Sequence, residues 1–492
     1  MANNLNKINH VVVLMLENRS FDNMAGWLYD PQNPAPYDKV PRNQPFEGVS
    51  GKSLSNPVPG GGSAPLLRGS PLTNPEPDPG EEFDHISLQV YGQTLAPNPL
   101  PPVAPMNGFV ADYAAVIADY NKKHKLNKSK TNPAAIMGCY TPDQVPVTSA
   151  LANNYAISDY WFASVPSQTW PNRSFAHAAT SSGRVNNNNP GSSIPVRNNT
   201  TTIFNLMQKA GLGWRVYYDA ENVLSLTLIA QDQLVQYHKT NFSYMGQFYK
   251  DAAKPGGLPA YSFIEPRFLL NHNDQHPGGL LNESVGKGEQ LISDVYNALL
   301  KSPDWNEILF IVTYDEHGGC YDHVAPPTTA SPPDPGAPAG QEGFTFNRFG
   351  VRVCTLLISP LIEPGTIFRA DKTSPPFDHA SIIKTITNRW GLSSLTQRDA
   401  AAQDVGNILT LSTPRSRKSI PDITLPHAMA AAAAVATDAN EPLSDFQRDF
   451  VAAAAERLVP FKKALVQAPE PKTVGEASAL LKARAQSFKF VM

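Results

Sequence analysis

"VVVLMLENRSFDN", residues 11–23, opens on six consecutive apolar residues and passes straight to Glu17, Asn18 and Arg19. A continuous apolar run, rather than an alternating one, reads as a strand buried on both faces. The acid and the amide then stand at its carboxyl end. "EILFIVTYDEHGGCYDHV", residues 307–324, repeats the design: an apolar run ends on Asp315, Glu316 and His317, with Asp322 and His323 close behind. Further runs, "YAISDYWFASV", "WRVYYDA", "AYSFIEP" and "VRVCTLLISP", alternate with helical patterns. Among these, "NESVGKGEQLISDVYNALLKSPDWNE" directly precedes "ILFIVTYDE" and suits a crossover helix. The predicted fold is α/β, a three-layer sandwich around a largely parallel central sheet.

The chain has 492 residues, enough for two or three units at about 100–200 residues each. A net charge of −3 and the absence of long Lys/Arg runs argue against a nucleic-acid partner. The first twenty residues lack the charged start, long apolar core and cleavage site of a secretory leader, and no apolar run is long enough for a transmembrane segment. As written, the chain is expected in the cytoplasm, or exported by a route that needs no leader. Cys139, Cys320 and Cys354 are odd in number and lack metal-ligand spacing, so reduced structural thiols are expected.

The 46 prolines, about 9% of the chain against a usual ~5%, cluster into long loops. The Pro-rich loops between residues 31 and 104 and the stretch 325–343 are the clearest, and 185–202 is a polar equivalent. From about residue 421 the sequence becomes Ala-rich and helical in pattern. The expected division is a catalytic α/β domain over 1–420 and a helical C-terminal extension over 421–492.

Ligands of open α/β sheets bind beyond the carboxyl ends of the strands, so the ends at Glu17–Asn18 and Asp315–Glu316 are candidates to converge. Three carboxylates and an amide brought together repel unless a cation neutralises them. Hard oxygen donors favour Ca²⁺, Mg²⁺ or Mn²⁺, with Zn²⁺ also compatible. Each end has a plainer reading, since acids and amides commonly cap helices. A third stretch, "SVPSQTWPNRSFAHAATSSG" at 164–183, places Thr169 just before Pro171, a residue suited to the first helical position. A helix N-terminus attracts phosphate, and a hydroxyl there beside a divalent cation is a candidate nucleophile. Ser167 or Thr169 serving as an ordinary N-cap is the alternative. His276, His317, His323, His379 and His85 are the candidates for acid–base work, with His379 read as structural because it opens a helix.

Taken together, "ENRSFDN", "SVPSQTWPNR" and "TYDEHGGCYDHV", with "MNGFV", "YSFIEPRF" and "NDQHP" between them, resemble the phosphoesterase family. That family contains phosphatidylcholine-type and non-specific phospholipases C and certain acid phosphatases, and it sits in the alkaline-phosphatase-like superfamily. The resemblance runs from residue 8 to about residue 390. It implies metal and phosphate binding by Glu17 and Asn18, a nucleophile at Thr169, a second pair of metal ligands at Asp315 and Glu316, and a phosphate-site histidine at His276. The chain departs from the plant members at "DPGEEF", where Glu81 stands in place of the family's histidine. Either Glu81 takes over a hydrogen-bonding role, or His85 reaches in from the next turn, or that function is lost.

The resulting expectation is a one-metal phospholipase C acting on phosphatidylcholine through a phosphothreonine. His276 would serve as acid or base, with weaker substrate contacts at Glu81, His85, His317 and Trp170. Trp170 and Trp161 are candidate faces for a choline. Contact with a membrane surface would be transient, because no strongly basic amphipathic helix is present. The alternative is a metal-dependent acid phosphatase on soluble phosphomonoesters. A binding protein with a decayed site is disfavoured, because every nucleophile and ligand position holds a competent residue.

Overall fold

The computed structural model describes residues 4–488 apart from 31–38, 41–44, 73–74, 97–98, 124, 126–128, 189–194, 196, 279–283, 372, 437 and 459–469. Parts of the Pro-rich loops, of the polar stretch 185–202 and of the expected C-terminal extension therefore lie outside the described residues.

The apolar run at the start of the chain is strand β1, His10–Leu16, and Val11 to Leu16 are wholly buried. Burial of each such side chain contributes about 1.5–3 kcal/mol, which fixes β1 at the centre of the molecule. Eight more strands join it: β2 (Lys39–Val40), β3 (Ala156–Ser158), β4 (Trp214–Tyr218), β5 (Phe242–Tyr244), β6 (Tyr261–Ile264), β7 (Ile308–Tyr314), β8 (Thr355–Ile358) and β9 (Thr366–Phe368). Their order across the sheet is β5-β4-β6-β1-β7-β8-β3-β9-β2. β1 runs parallel to both neighbours, with Leu14 opposite Ile264 of β6 and Leu16 opposite Tyr314 of β7. Only β8 is antiparallel, to β7 on one side and β3 on the other. The largely parallel sheet is thus present, and the six apolar runs quoted above each supply one of its strands.

Two separate groups of helices flank the sheet. One joins Ser284–Leu300, the expected crossover helix, to Pro146–Asn154 and His427–Ala433; the other joins Thr169–Ala178 to Ile203–Lys209 and Ala380–Trp390. A second apolar cluster packs the C-terminal helices Asp445–Arg457 and Val474–Phe488 onto Trp170, Leu226 and Phe268. The main core continues through Ile420, Ile423 and Leu425, and the second cluster takes over at Leu443. The change of texture read at residue 421 therefore precedes the change of core. All three cysteines are free and buried.

Candidate active site

Because β1 and β7 are in register, Glu17 and Asp315 leave neighbouring strands at the same level. Asn18 follows with φ of 58°, a left-handed conformation that Asn tolerates better than most residues, so the chain turns sharply at the sheet edge. Asp315 Oδ1 accepts the backbone N–H of Asn18 at 3.1 Å and of Glu316 at 2.8 Å, tying the two strand ends together. Gly318 completes the junction: at its φ of 60° a Cβ would lie 2.2 Å from the Asn18 carbonyl oxygen, so only glycine lets the loops approach this closely. "HGG" in the sequence carried that information.

The helix Thr169–Ala178 aims its N-terminus at this junction. It begins two residues ahead of Pro171, so the proline occupies the third helical position. The first turn has no intrahelical acceptors for its N–H groups, so the proline costs nothing there. Thr169 Oγ1 donates to Glu17 Oε2 at 3.0 Å. Asn172 holds the preceding turn closed, accepting from the Val165 N–H at 3.1 Å and donating to the carbonyls of Val165, Ser167 and Gln168. Trp170 N–H is taken by Asn187 Oδ1 at 3.0 Å. Ser167 turns away, donating to the Val185 carbonyl, and is neither cap nor site residue.

The counter-charge inside the site comes from Arg173, one turn along the same helix. It is 2% exposed, bonds Glu17 Oε1 and donates from Nε to Asp315 Oδ2 at 3.2 Å. Burial pushes the Glu17 carboxyl well above the usual range against the pull of Arg173, and the neighbouring Asp315 raises it further. Glu316 is also raised by burial, opposed by its contact with His317. Glu81 is raised by burial and by the nearby Glu316 and Asp78. A pocket with this much displaced carboxyl chemistry is under-supplied with positive charge.

The donor set fits a divalent cation. Asn18 Oδ1 and Glu316 Oε1 are buried without a hydrogen-bond partner among the described residues, and both belong to residues 0% exposed. Buried acceptors left open in this way are costly, and a hard cation would satisfy them. Among the described residues, the tightest group of carboxylate and imidazole donors is elsewhere: Asp22, Asp322 and His323, with ligand atoms within 4.8 Å of one another. There the buried Arg352 bonds Asp22 at 2.9 Å and Asp322 at 3.0 Å, and His323 Nδ1 lies 2.6 Å from Asp22 Oδ2. That second cluster already has its counter-ion. The Glu17 group also carries an arginine, Arg173 between two of its acids, but it differs in keeping the Asn18 and Glu316 oxygens without a partner.

His276 lies beside the junction, its Nε2 4.0 Å from Glu81 Oε2. Its Nδ1 donates to the Pro277 carbonyl at 2.6 Å, and burial lowers the pKa of the ring, favouring its neutral form. Glu81 is inside the site, accepting from Asn18 Nδ2. His85 is not: Glu81 precedes the helix Phe83–Tyr91 while His85 lies within it, so the two do not share a helical face, and His85 Nδ1 pairs with Asp112 Oδ1 at 2.6 Å. It connects only indirectly, through Asp112 to Gln89 and from Gln89 Oε1 to His317 Nε2 at 2.7 Å. His317 in turn contacts Glu316 Oε2 from Nδ1 at 3.3 Å. Trp170 is 3% exposed, with its ring against Phe446. Trp161 is stacked on Phe377, so neither indole offers a face to a ligand. His379 is buried and bonds the Asp315 carbonyl at 2.6 Å, a structural role. Arg173, Asn172, Gln89 and Asp112 were missed in the sequence because a lone polar residue within a helix carries no local sign of its distant partner.

Residues 8–393 match the model of the Phosphoesterase family. Non-specific phospholipase C3 of Arabidopsis thaliana is 35% identical over 469 residues, covering 91% of this chain and 82% of its own. Phospholipase C B of Mycobacterium tuberculosis is 27% identical over 459 residues, covering 83% and 79%. A solved alkaline phosphatase superfamily protein from Vibrio parahaemolyticus overlaps 71% of this chain and 84% of its own, at 11% identity and a TM-score of 0.34. With the family match spanning most of its length, the chain belongs to the Phosphoesterase family and is a hydrolase acting on phosphoester bonds.

Proposed function

We propose that the protein is a phospholipase C that cleaves the glycerol-side phosphodiester bond of phosphatidylcholine-type lipids by way of a phosphothreonine at Thr169. The observation that carries this reading is the hydrogen bond from Thr169 Oγ1 to Glu17 Oε2 at 3.0 Å, at a helix N-terminus beside two orphaned buried oxygens. Support for the substrate class comes from relatives named as phospholipases C at about a third identity.

Glu17, Asn18, Asp315 and Glu316, with Thr169, would hold the divalent cation. When bound, it supplies charge neutralisation for the phosphoryl oxygens and lowers the pKa of the nucleophile. Glu17 Oε2 already accepts the Thr169 hydroxyl hydrogen and takes the proton as Oγ1 attacks phosphorus. The Oγ1–P bond forms as the bond to the glycerol oxygen breaks, and that oxygen takes the proton held on Glu17 as diacylglycerol leaves. The lone pair on His276 Nε2 suits it to accept a proton from water in the second step, which releases the phosphorylated head group. The helix N-terminus favours the phosphate throughout. No helix among the described residues is long and apolar enough to cross a membrane, so lipid is expected to be met at a membrane surface.

The test compares phosphatidylcholine vesicles with a chromogenic phosphomonoester, with and without chelator. Diacylglycerol release that is lost with chelator and in Thr169→Ala is the expected result. Turnover of the monoester alone would overturn the lipid reading, and full activity in Thr169→Ala would overturn the mechanism.

A further inference from the structure

The helix that carries Thr169 has no cap of its own: Gln168, at the capping position, makes no side-chain bond to the first turn. The Thr169 hydroxyl is turned to Glu17, and Pro171 has no N–H to satisfy. That leaves the Trp170 N–H, a first-turn donor without an acceptor inside the helix. Asn187 Oδ1 meets it from outside at 3.0 Å, and the backbone N–H of Asn187 donates to Gln168 Oε1, also at 3.0 Å. Asn187 therefore grips the residues on both sides of Thr169, and Gln168 in turn reaches Glu81 Oε1 from Nε2 at 3.4 Å. It belongs to the asparagine run 186–189 of the polar stretch 185–202, to which the reaction itself assigns no part.

What holds Asn187 comes from a distant part of the chain. Its Nδ2 donates to Asp449 Oδ2 at 3.0 Å, and Asn188 Nδ2 donates to Asp449 Oδ1 at 3.0 Å, so one carboxylate receives both amides. Asn187 is 1% exposed, and its surroundings make opposite demands: the Trp170 N–H requires its oxygen and the carboxylate requires its NH₂ group. Asp449 thereby fixes which way the amide faces. It stands on the helix Asp445–Arg457, beyond the residues 8–393 that match the family. That helix is anchored in its own right. Ser444 and Gln447 form its capping box, Gln447 Nε2 donates to the Phe268 carbonyl at 2.8 Å, and Phe446 packs against Trp170.

We infer that Asn187 and Asp449 are positioning residues, through which the C-terminal helix caps the nucleophile's helix and holds Thr169 against Glu17. Capping from outside leaves the Thr169 hydroxyl free of the task that a threonine at a helix start ordinarily performs. The inference rests on the reading of Thr169 as the nucleophile. It gives the C-terminal extension a part in the chemical step, visible in kcat rather than in KM.

The test uses the full chain with p-nitrophenylphosphocholine, well below the unfolding temperature of every variant. Asn187→Ala removes the acceptor for the Trp170 N–H, and Asp449→Leu removes what orients it; each is expected to lower kcat roughly tenfold with KM within about twofold of wild type. Asp449→Asn is the conservative variant. It still offers an oxygen to Asn187, and Asn188, whose Oδ1 has no hydrogen-bond partner among the described residues, can turn to receive the new N–H, so kcat is expected within about threefold of wild type. Arg457→Leu is the control for a merely structural role: it loosens the same helix at its far end, where Arg457 bonds the Ile229 carbonyl and Asp232, and is expected to cost stability but less than twofold in kcat. The proposal is overturned by kcat within about twofold of wild type in both Asn187→Ala and Asp449→Leu, by an equal loss in Asp449→Asn and Asp449→Leu, or by an equal loss in Arg457→Leu. If the wild-type protein turns over no ester, or Thr169→Ala keeps the full rate, the nucleophile reading fails on its own. Hydrogen exchange at the Trp170 amide, followed by mass spectrometry of the peptides that span it, then decides the cap: faster exchange in Asp449→Leu than in wild type and Arg457→Leu upholds it, and equal exchange in all three overturns it.

Discussion

Replacing Arg173 by Met isolates the electrostatic problem at the heart of the site. The guanidinium bonds Glu17 and Asp315 and also donates to the carbonyls of Met15 at 3.1 Å and Leu16 at 3.4 Å. Its removal leaves two carboxylates, both 0% exposed, facing each other without a partner cation. Breaking a buried pair from one side costs about 3–5 kcal/mol. The loss has a sign in pH. Glu17 is an acid whose folded pKa is already raised by burial, so its contribution to stability falls as pH rises from the ordinary carboxyl range toward the folded value. Without Arg173 the folded value rises further, and the penalty grows over the same direction. The deficit against wild type is therefore larger at alkaline pH and shrinks on acidification, as Glu17 takes up its proton. Urea unfolding followed by circular dichroism, with chelator present throughout, measures it. A deficit below about 1 kcal/mol at pH 8, or one that does not shrink on acidification, would refute the reasoning, because the acids would then be compensated by something other than Arg173.

Gly318→Ala is expected to lose about 2–4 kcal/mol, from a left-handed φ of 60° and a Cβ 2.2 Å from the Asn18 carbonyl, and at least tenfold in activity as Asn18 is displaced. Gly343→Ala, at φ of 68° with nothing near its Cβ, is the control that carries the strain alone, about 1 kcal/mol; equal losses in the two would show that close approach is not the issue. His85 is opposed by burial, but its bond to Asp112 raises it to about 9 against an ordinary 6.5. The stabilisation, on the order of 1–2 kcal/mol at a part-exposed site, is complete below pH 6.5 and lost as pH rises through 9. His85→Leu should therefore destabilise most at pH 6 and converge on wild type above pH 9 in the same unfolding assay.

The parts of the molecule that were readable from residue order are those whose physics is local. Seven buried positions in a row announce β1 and β7, and the acids after them are visible as anomalies. The edge strands β2 and β5, and β9 next to β2, are two or three residues long and have no period to read. The reversal of β8 was equally hidden, because a strand buried on both faces has the same composition in either direction. In the site, Thr169 was conspicuous beside its proline, whereas Arg173 gains its meaning only from acids 142 and 156 positions away. Glu81 and His85 looked interchangeable as neighbours one turn apart. Only the position of Asp112 separates them, by claiming the histidine for the helix surface.

The central place of β1 has a consequence for how the molecule is made. Its two partners, β6 and β7, follow it by about 250–300 residues, which at about 5–20 residues per second is a delay on the order of 10–60 s. During synthesis β1 therefore emerges well ahead of both of its hydrogen-bonding neighbours. Such a strand is a template for wrong pairing for the whole of that interval. The residues that end it, Glu17, Asn18 and Arg19, place charge and amide directly against the apolar run, so the pair proposed to hold the cation, Glu17 and Asn18, also interrupts the segment as a nascent aggregation seed.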